Sequence, residues 1–250
     1  LHAGHLSLVR RAHAECTSVV VSIFVNPTQF GPDEDLDTYP RDLARDLALL
    51  KTEGVDLVWA PTSTVMYPPG FQTRVTVREL TRRLEGAERP GHFQGVTTVV
   101  TKLFAAVQPQ RAYFGQKDAQ QAIVIRQMSK DLNFPIDIVI CPIVREADGL
   151  AMSSRNTYLS PTERKAARVL YRALTEAQKA YQQGERQAER LRAIMTEVIN
   201  REPLARLQYI SCADPDTLEE LHGQVGRALL SIAVYVGNTR LIDNLIIKKD

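Results

Sequence analysis

The chain has 250 residues, with 31 basic and 29 acidic side chains and a formal net charge of +2 at pH 7. A chain of this length favours one larger and one smaller domain, and its balanced charge, without a run of lysines or arginines, argues against nucleic-acid binding. No apolar run reaches membrane-spanning length, and three widely separated cysteines (Cys16, Cys141 and Cys212) predict reduced thiols in a cytoplasmic protein without a structural zinc site.

The chain begins with a turn that leads into a predicted helix. His2 and His5 flank Gly4, and an apolar, helix-forming run follows at once. The unpaired N–H groups and positive dipole end of a helix starting near His5 would face a ligand, and glycine lets the backbone approach that ligand closely. Because the imidazoles add donors at the same place, the turn predicts a phosphate site. An ordinary surface turn with two histidines is equally compatible with this motif alone.

The first predicted strand, residues 19–25, is a continuous β-branched run, which is typical of a buried parallel strand. It leads into a polar loop at the edge of the sheet where α/β proteins bind ligands. Asn26 and Gln29 in this loop are candidates for binding a small polar substrate, although they could simply cap the loop.

Helices and strands alternate between residues 42 and 141, which predicts a parallel, doubly wound sheet. A charged, glycine-rich stretch at residues 85–93 is typical of a mobile flap. The predicted helices are residues 42–52, 78–85, 92–107 and 118–132, and the predicted strands are residues 55–59, 72–77, 111–114 and 136–141.

A second strand–glycine–helix transition occurs at Gly115-Gln116-Lys117-Asp118. Its lysine is suitably placed to bind phosphate, and Gln121 lies in the first turn of the helix that follows.

A second candidate phosphate site follows the Asp148–Gly149 turn. Ser153, Ser154 and Arg155 offer two short neutral donors and a planar guanidinium fork, which suit phosphate oxygens. Serine, arginine and asparagine are common in loops, so this stretch alone is not specific. Together with the histidine turn, it resembles the two ATP-binding motifs of the adenylyl-transferring superfamily that includes class I aminoacyl-tRNA synthetases.

The character of the sequence changes after Tyr158. Ser160 and Glu163 form a predicted capping box with proline at the first helical position. Helices at residues 160–182 and 188–200, followed by strands at residues 207–212, 228–236 and 239–246, predict a small α+β domain.

Six short blocks then carry a resemblance to a known family. They are His2-Ala3-Gly4-His5, residues 22–30, Tyr39-Pro40-Arg41, residues 89–95, residues 113–118 with Gln121, and residues 145–156. In this order they resemble the pantoate–β-alanine ligases over essentially the whole chain. Gln116 stands where members of that family often have glutamate.

The resemblance implies a Rossmann-like domain at residues 1–156 that binds ATP and pantoate, and a smaller C-terminal lid and dimer domain at residues 157–250, in a cytoplasmic homodimer. In this family the first strand and a proline–threonine–methionine–glycine turn precede the histidine turn, so both are expected upstream of Leu1.

The activity implied by the resemblance has two steps. Pantoate attacks the α-phosphate of ATP to give pantoyl adenylate, and the amine of β-alanine then displaces AMP. Gln29 and Gln121 would hold pantoate while Asn26 orders the pocket, and Mg²⁺ would ride on the ATP phosphates without a protein ligand. The implied catalytic donors are His2, His5, Lys117, Ser153, Ser154 and Arg155. The implied ATP-binding residues are Leu1, His2, Ala3, Gly4, His5, Gly115, Gln116, Lys117, Asp118, Val144, Met152, Ser153, Ser154 and Arg155.

Two alternatives remain open from the residues themselves. A nucleotidyltransferase of the same superfamily would share both phosphate motifs but not the amide residues Asn26, Gln29 and Gln121. A non-catalytic nucleotide-binding or tRNA-binding module is the alternative from another class, and the absence of a basic stripe counts against tRNA.

Overall fold

The computed structural model describes residues 1–32 and 34–249, which form two compact units, Leu1–Pro142 (unit 1) and Ile143–Asp250 (unit 2). Unit 1 combines helices with parallel strands, and unit 2 combines helices with a small antiparallel sheet, which confirms the predicted α/β class with a smaller α+β part. None of the helices in these described ranges has the length and apolar character needed to cross a membrane.

The division into compact units falls earlier in the chain than the domain limit predicted after Asn156. Residues 143–156 belong to unit 2, where Leu150 packs into the core. The assignment of this segment to the first domain on functional grounds remains a prediction.

Unit 1 is built around two pairs of parallel strands. Its helices are α1 (Ala3–Glu15), α2 (Leu43–Thr52), α3 (Ser63–Met66), α4 (Glu85–Glu88), α5 (His92–Val107) and α6 (Ala119–Asp131), and its strands are β1 (Val20–Ser22), β2 (Leu57–Trp59), β3 (Arg111–Gly115) and β4 (Asp137–Cys141). Strand β1 pairs with β2, and β3 pairs with β4. Apolar side chains of α5 and α6 form one core cluster, and those of α1 pack with Val19 and Leu50 in another.

Strand β1 is shorter than the sequence predicts. Beyond Ser22, one further bond joins the Ile23 N–H to the Trp59 carbonyl at 3.0 Å. Strand β2 ends at Trp59, and Pro61 follows shortly after it with no N–H to donate. The β-branched run of β1 therefore continues as extended chain without a paired partner in β2.

Residues 72–77 do not form the predicted strand. The N–H of Val75 donates to Thr98 Oγ1 at 3.0 Å, and its carbonyl accepts from Thr97 Oγ1 at 2.6 Å. Two threonine side chains of α5 thus satisfy this extended backbone in place of a neighbouring strand.

The segment predicted as a mobile flap, residues 85–93, is instead folded and anchored. Glu85 and Phe93 are buried, and the Glu85 N–H donates to Gln120 Oε1 at 2.9 Å. Gly86 packs so closely on the preceding turn that a Cβ atom there would lie 2.6 Å from the carbonyl carbon of Thr81. Charge and glycine content therefore reflect a tight connection in this segment.

Unit 2 places two long helices on a three-stranded antiparallel sheet. It consists of α7 (Pro161–Ala166), α8 (Val169–Gln182) and α9 (Ala188–Asn200), followed by β5 (Ala205–Ala213), β6 (Arg227–Val236) and β7 (Thr239–Lys248). The order in the sheet is β5–β6–β7, and the apolar faces of α8 and α9 share a core with it.

The capping box predicted before α7 is confirmed. The Ser160 N–H donates to Glu163 Oε2 at 2.8 Å, and the Glu163 N–H donates to Ser160 Oγ at 3.3 Å. The helix predicted to run on to Gln182 is divided after Ala166, because the Arg168 N–H bonds to the Lys165 carbonyl three residues earlier, in a tighter 3-10 turn.

Candidate active site

The histidine turn forms the start of α1. His2 is the N-cap residue, and its carbonyl accepts from the His5 N–H at 2.8 Å. The His2 N–H in turn donates to His5 Nδ1 at 3.3 Å, and the two rings stack with centroids 3.8 Å apart. Because Nδ1 of His5 accepts a bond, the neutral ring carries its proton on Nε2. His5 is therefore fixed as a neutral hydrogen-bond donor.

Burial keeps both histidines neutral. It lowers the pKa of His2 to about 4, and the positive charge of Lys117 acts in the same direction, as a protonated His5 would. Burial also lowers the pKa of His5, with Asp118 opposing this shift. At pH 7 the turn therefore offers uncharged imidazoles, and the nearby positive charge comes from a lysine side chain.

The structure brings the second predicted transition close to this turn. Strand β3 ends at Gly115, residues Gln116–Asp118 form a 3-10 turn, and Lys117 Nζ lies 3.5 Å from Asp118 Oδ1. The charges of Lys117 and Asp118 act on the pKa of both histidines, which places the two motifs in one electrostatic environment. A lysine beside two imidazoles and a helix N-terminus is suited to binding phosphate.

Leu1 and Asp46 border the histidine turn. Asp46 is buried on α2. Its carboxylate favours the charged form of His5, against the effect of burial on the pKa of that ring. Sequence reasoning gave Asp46 no role, because a single acidic residue on an amphipathic helix is usually solvated.

Asn26 is the buried centre of the predicted pantoate loop. Its Nδ2 donates to Gln29 Oε1 at 3.2 Å and to the Gly95 carbonyl at 3.1 Å. Its Oδ1 accepts from the Thr28 N–H and from the Tyr67 hydroxyl. Both amide hydrogens are thus used within the protein, so the geometry supports the ordering role predicted for Asn26 and orients the Gln29 side chain.

Helix α5 holds the same loop at van der Waals contact. A Cβ atom on Gly95 would lie 2.7 Å from the Gln29 nitrogen and 2.6 Å from the Thr28 carbonyl carbon. The loop backbone can approach the helix this closely only because residue 95 is glycine.

Arg89 and His92 hold the Gln29 carbonyl from the other side. His92 Nδ1 donates to this carbonyl over 2.8 Å, and His92 Nε2 lies 3.2 Å from Arg89 Nη1. Arg89 forms two bonds of 2.6 Å to the carboxylate of Glu34. Burial and the adjacent guanidinium lower the pKa of His92, so its ring is neutral and Nε2 accepts from arginine. Arg89 and His92 were missed as site residues, because the charges and glycines of residues 85–93 suggested a flap.

Gln121 lies half-buried in the first turn of α6, beside the buried Gln120. Gln120 Nε2 donates to the carbonyls of Leu80 and Arg83 at 2.7 and 2.8 Å. Together with the bond from Glu85 to Gln120, these contacts fasten the connection before α4 to the helix that carries Gln121.

The serine and arginine motif in unit 2 follows a short hairpin. The Met152 N–H donates to the Val144 carbonyl at 3.0 Å, and Arg145 pairs with Ala151 in an antiparallel bridge. Ser153 then caps a 3-10 turn, Ser154–Tyr158, by accepting from the Arg155 N–H at 3.3 Å. The two serines and Arg155 are thus adjacent on one ordered turn.

Two buried side-chain atoms in the described ranges have no hydrogen-bond partner, namely His2 Nδ1 and Asn156 Oδ1. His2 lies in the histidine turn of unit 1, and Asn156 directly follows Arg155 in unit 2. A buried polar atom without a partner is costly, so each of these atoms is a candidate contact for a polar ligand.

Comparison with known proteins identifies the family. A profile of the pantoate-beta-alanine ligases matches residues 1–246. Pantothenate synthetase from Roseiflexus sp. (strain RS-1) is 63% identical over 248 residues, covering 99% of this chain and 89% of that protein. Pantothenate synthetase from Thermoanaerobacter sp. (strain X514) is 58% identical over 246 residues, covering 98% and 87%.

Solved structures agree with the sequence comparison. The crystal structure of pantothenate synthetase from Thermus thermophilus has a TM-score of 0.97 and 52% identity, and the match covers 100% of this chain and 90% of that one. The pantoate-beta-alanine ligase from Francisella tularensis, complexed with beta-gamma ATP and beta-alanine, has a TM-score of 0.79 and 37% identity, covering 98% and 85%. With these matches over nearly its whole length, the chain belongs to the pantoate–β-alanine ligase family.

Proposed function

We infer that this chain is an ATP-dependent ligase that condenses pantoate with β-alanine through a pantoyl adenylate. An oxygen of the pantoate carboxylate attacks the α-phosphate of ATP, and the bond to the β-phosphate breaks to release pyrophosphate. The amine of β-alanine then attacks the acyl carbon, AMP leaves, and the amine loses a proton as the amide of pantothenate forms.

The observation that supports ATP binding most directly is the location of the two unpartnered buried atoms. They are His2 Nδ1, in the histidine turn, and Asn156 Oδ1, in the residue directly after the serine and arginine motif. A polar ligand at these motifs would remove the desolvation cost that both atoms carry.

The donors in these motifs are matched to the charge that develops during adenylate formation. Negative charge grows on the α-phosphate oxygens and on the leaving pyrophosphate, so preorganised donors there lower the barrier. We propose this role for the neutral imidazoles of His2 and His5, for Lys117, and for the turn with Ser153, Ser154 and Arg155. The Nε2 proton of His5 is available for donation to the leaving group.

The pantoate site is proposed to use the amides of Gln29 and Gln121. Gln29 is held at its side chain by Asn26 and at its carbonyl by His92. A fixed amide suits recognition of hydroxyl and carboxylate groups, because it offers a donor and an acceptor in a defined orientation.

Magnesium is proposed to enter with ATP. The candidate donors are imidazole, ammonium, hydroxyl and guanidinium groups, which suit phosphate oxygens, whereas Mg²⁺ prefers oxygen ligands and retains water. The ion would neutralise phosphate charge during attack on the α-phosphate.

We further propose a homodimer that acts in the cytoplasm. Val20 and Leu57, which are paired across β1 and β2, have 39% and 56% of their surfaces exposed, and Leu43 and Leu47 of α2 are also exposed. Such residues favour a covered face in an oligomer. Three cysteines in the thiol form are consistent with a reducing compartment.

Partial reactions test the ligase assignment. Because the adenylate forms before the amine enters, pantoate and Mg-ATP should exchange labelled pyrophosphate into ATP without β-alanine. Addition of β-alanine should then yield AMP and pantothenate. Formation of ADP would indicate phosphoryl transfer instead, and exchange that ignores pantoate but needs a phosphorylated acceptor would indicate a nucleotidyltransferase. Neither exchange nor AMP would indicate a binding module, and any of these three results would contradict the assignment.

A further inference from the structure

A buried ion pair lies at the base of the hairpin that precedes the serine and arginine motif. Arg145 Nη1 lies 2.6 Å from Asp243 Oδ2, and Nη2 lies 2.9 Å from Oδ1, which is a two-point contact. The Asp243 side chain, in the middle of β7, is only 1% exposed, and that of Arg145 is 18% exposed. The pair therefore joins the hairpin to the sheet of unit 2 in a single orientation.

The same guanidinium also fixes the turn of the hairpin. Arg145 Nη1 donates to the Gly149 carbonyl at 3.1 Å, and the guanidinium carbon lies 4.1 Å from the ring centre of Tyr171 on α8. Gly149 has a φ of +93°, and a Cβ atom there would lie 2.8 Å from Cε1 of Tyr171. Sheet, helix and turn thus meet at one arginine, where only glycine fits the turn.

The anchored hairpin leads directly into the proposed phosphate-binding residues. Arg145 is bridged to Ala151, and the Ala151 carbonyl accepts from Asn156 Nδ2 at 3.1 Å. Met152, Ser153 and Ser154 leave the hairpin at this point. A change in the direction of Arg145 would therefore move the serines.

We propose that Arg145 and Asp243 are positioning residues for ATP, because they hold the hairpin that orients Ser153, Ser154 and Arg155. This inference rests on the proposed function of those three residues. A buried ion pair seldom adds stability relative to well-packed apolar side chains, so its value here lies in fixed orientation. Placement within fractions of an ångström is what phosphate transfer requires of its donors.

Two changes separate positioning from folding. Arg145→Lys keeps the charge opposite Asp243 but loses the planar fork. The double change Arg145→Met with Asp243→Leu removes both charges, so that no unpaired charge remains buried. We expect kcat/KM for ATP to fall roughly tenfold in the first variant and roughly 10- to 100-fold in the second. The KM for pantoate should stay within about twofold, and the melting temperature within a few degrees, roughly the shift of one lost surface contact.

The matched control is Asp216→Asn, which breaks an exposed pair with Arg227 in the same unit. The side chains of this pair are 54% and 51% exposed, so we expect ATP kinetics and melting temperature to be unchanged. Unchanged ATP kinetics in both Arg145 variants would overturn the proposal, and so would an equal loss of apparent pantoate affinity.

ATP binding, measured by calorimetry without pantoate, tests the positioning role of Arg145 and Asp243 separately from the ligase activity. Weaker ATP binding in the variants supports the positioning role even if the unaltered protein shows no pantoate-dependent exchange, a result that would overturn the ligase assignment alone. Normal exchange by the unaltered protein, with full ATP affinity in both variants, would overturn the positioning role alone.

Discussion

The loop at residues 26–30 in unit 1 and the segment at residues 152–155 in unit 2 both carry predicted substrate contacts, but different chemistry fixes them. Mainly neutral groups hold the first, through the amide of Asn26, the ring of His92 and the close packing of Gly95. The Arg89 guanidinium, paired with Glu34, also donates to the Gln29 carbonyl at 3.5 Å. An ion pair holds the second, through Arg145 and Asp243. Neutral anchors leave no buried charge when one partner is lost, whereas half of an ion pair leaves an uncompensated one. Loss of one hydrogen-bond partner should therefore cost less fold stability at the neutral contacts of the first region than at the ion pair of the second.

The largest loss of activity is expected at the residues proposed to contact the phosphates. Changes to the residues that hold either region in place should have smaller effects. We expect His5→Ala to lower turnover by roughly 10²–10³-fold, the scale for one preorganised transition-state donor, with little change in stability. Lys117→Ala should be of similar severity. Steady-state assays of AMP release measure the turnover of both variants. His13→Ala, at an exposed position of the same helix, is the control, and near-normal turnover of His5→Ala would assign His5 a structural role.

The next largest effect is expected from a change that disturbs the packing of Gly95 against the loop at residues 26–30. Gly95→Ala forces a methyl group against the backbone of Thr28 and Gln29, so the loop must shift. We expect a loss of ~1–3 kcal/mol in the free energy of unfolding. The KM for pantoate should rise about tenfold while that for ATP changes little.

Urea unfolding and steady-state kinetics measure the two parts of this prediction. Gly226→Ala is the control, because a Cβ atom there meets nothing within 4 Å. A normal pantoate KM in the Gly95 variant would show that the loop does not set pantoate affinity.

The smallest effect is expected in the pH dependence of the free energy of unfolding, through the buried, neutral His2. The pKa of His2 is lowered to about 4 in the folded protein from 6.5, chiefly by burial. Between pH 6.5 and about 4 the unfolded chain therefore binds a proton that the folded chain does not. Proton uptake by the unfolded chain therefore lowers the free energy of unfolding as the pH falls below 6.5, and has no effect above that pH. We expect His2→Gln to lose less stability than the unaltered protein on acidification.

Urea unfolding at about pH 7 and about pH 5 tests this difference, a window set by the ordinary histidine pKa. His13→Gln, an exposed position on the same helix, should leave the pH dependence unchanged. Identical acid sensitivity with and without His2 would contradict its buried, neutral state.

Local patterns in the sequence predicted much of the fold. The bounds of α5 and α9 and the capping box at Ser160 follow from apolar spacing and from the chemistry of nearby residues. Residues 72–77 were mispredicted as a strand, because their backbone partners are threonine side chains of a later helix. Alternation along a strand carries no information on which atoms will accept its hydrogen bonds.

The candidate site could be proposed from sequence where chemically distinctive residues are concentrated in short motifs. His2, His5 and Lys117 were recognised from sequence, and the structure places them in one electrostatic environment. Asp243, by contrast, lies 98 residues from its partner Arg145, in a strand that mixes apolar and polar residues. No local pattern links the two, and an acidic residue in a strand is most often an exposed one.

If the proposed ATP site includes Asn156, its unpartnered oxygen would affect which molecules that site accepts. Because Nδ2 of the same side chain donates to the Ala151 carbonyl, the unpartnered atom is an oxygen and can only accept. Fully ionised phosphate groups have no hydrogen to offer it, whereas a ribose hydroxyl or a base amino group does. Inorganic triphosphate would leave this oxygen desolvated and without a hydrogen bond, which would weaken its binding. The site would therefore select ATP because the triphosphate alone binds poorly, and not only because ATP makes additional contacts.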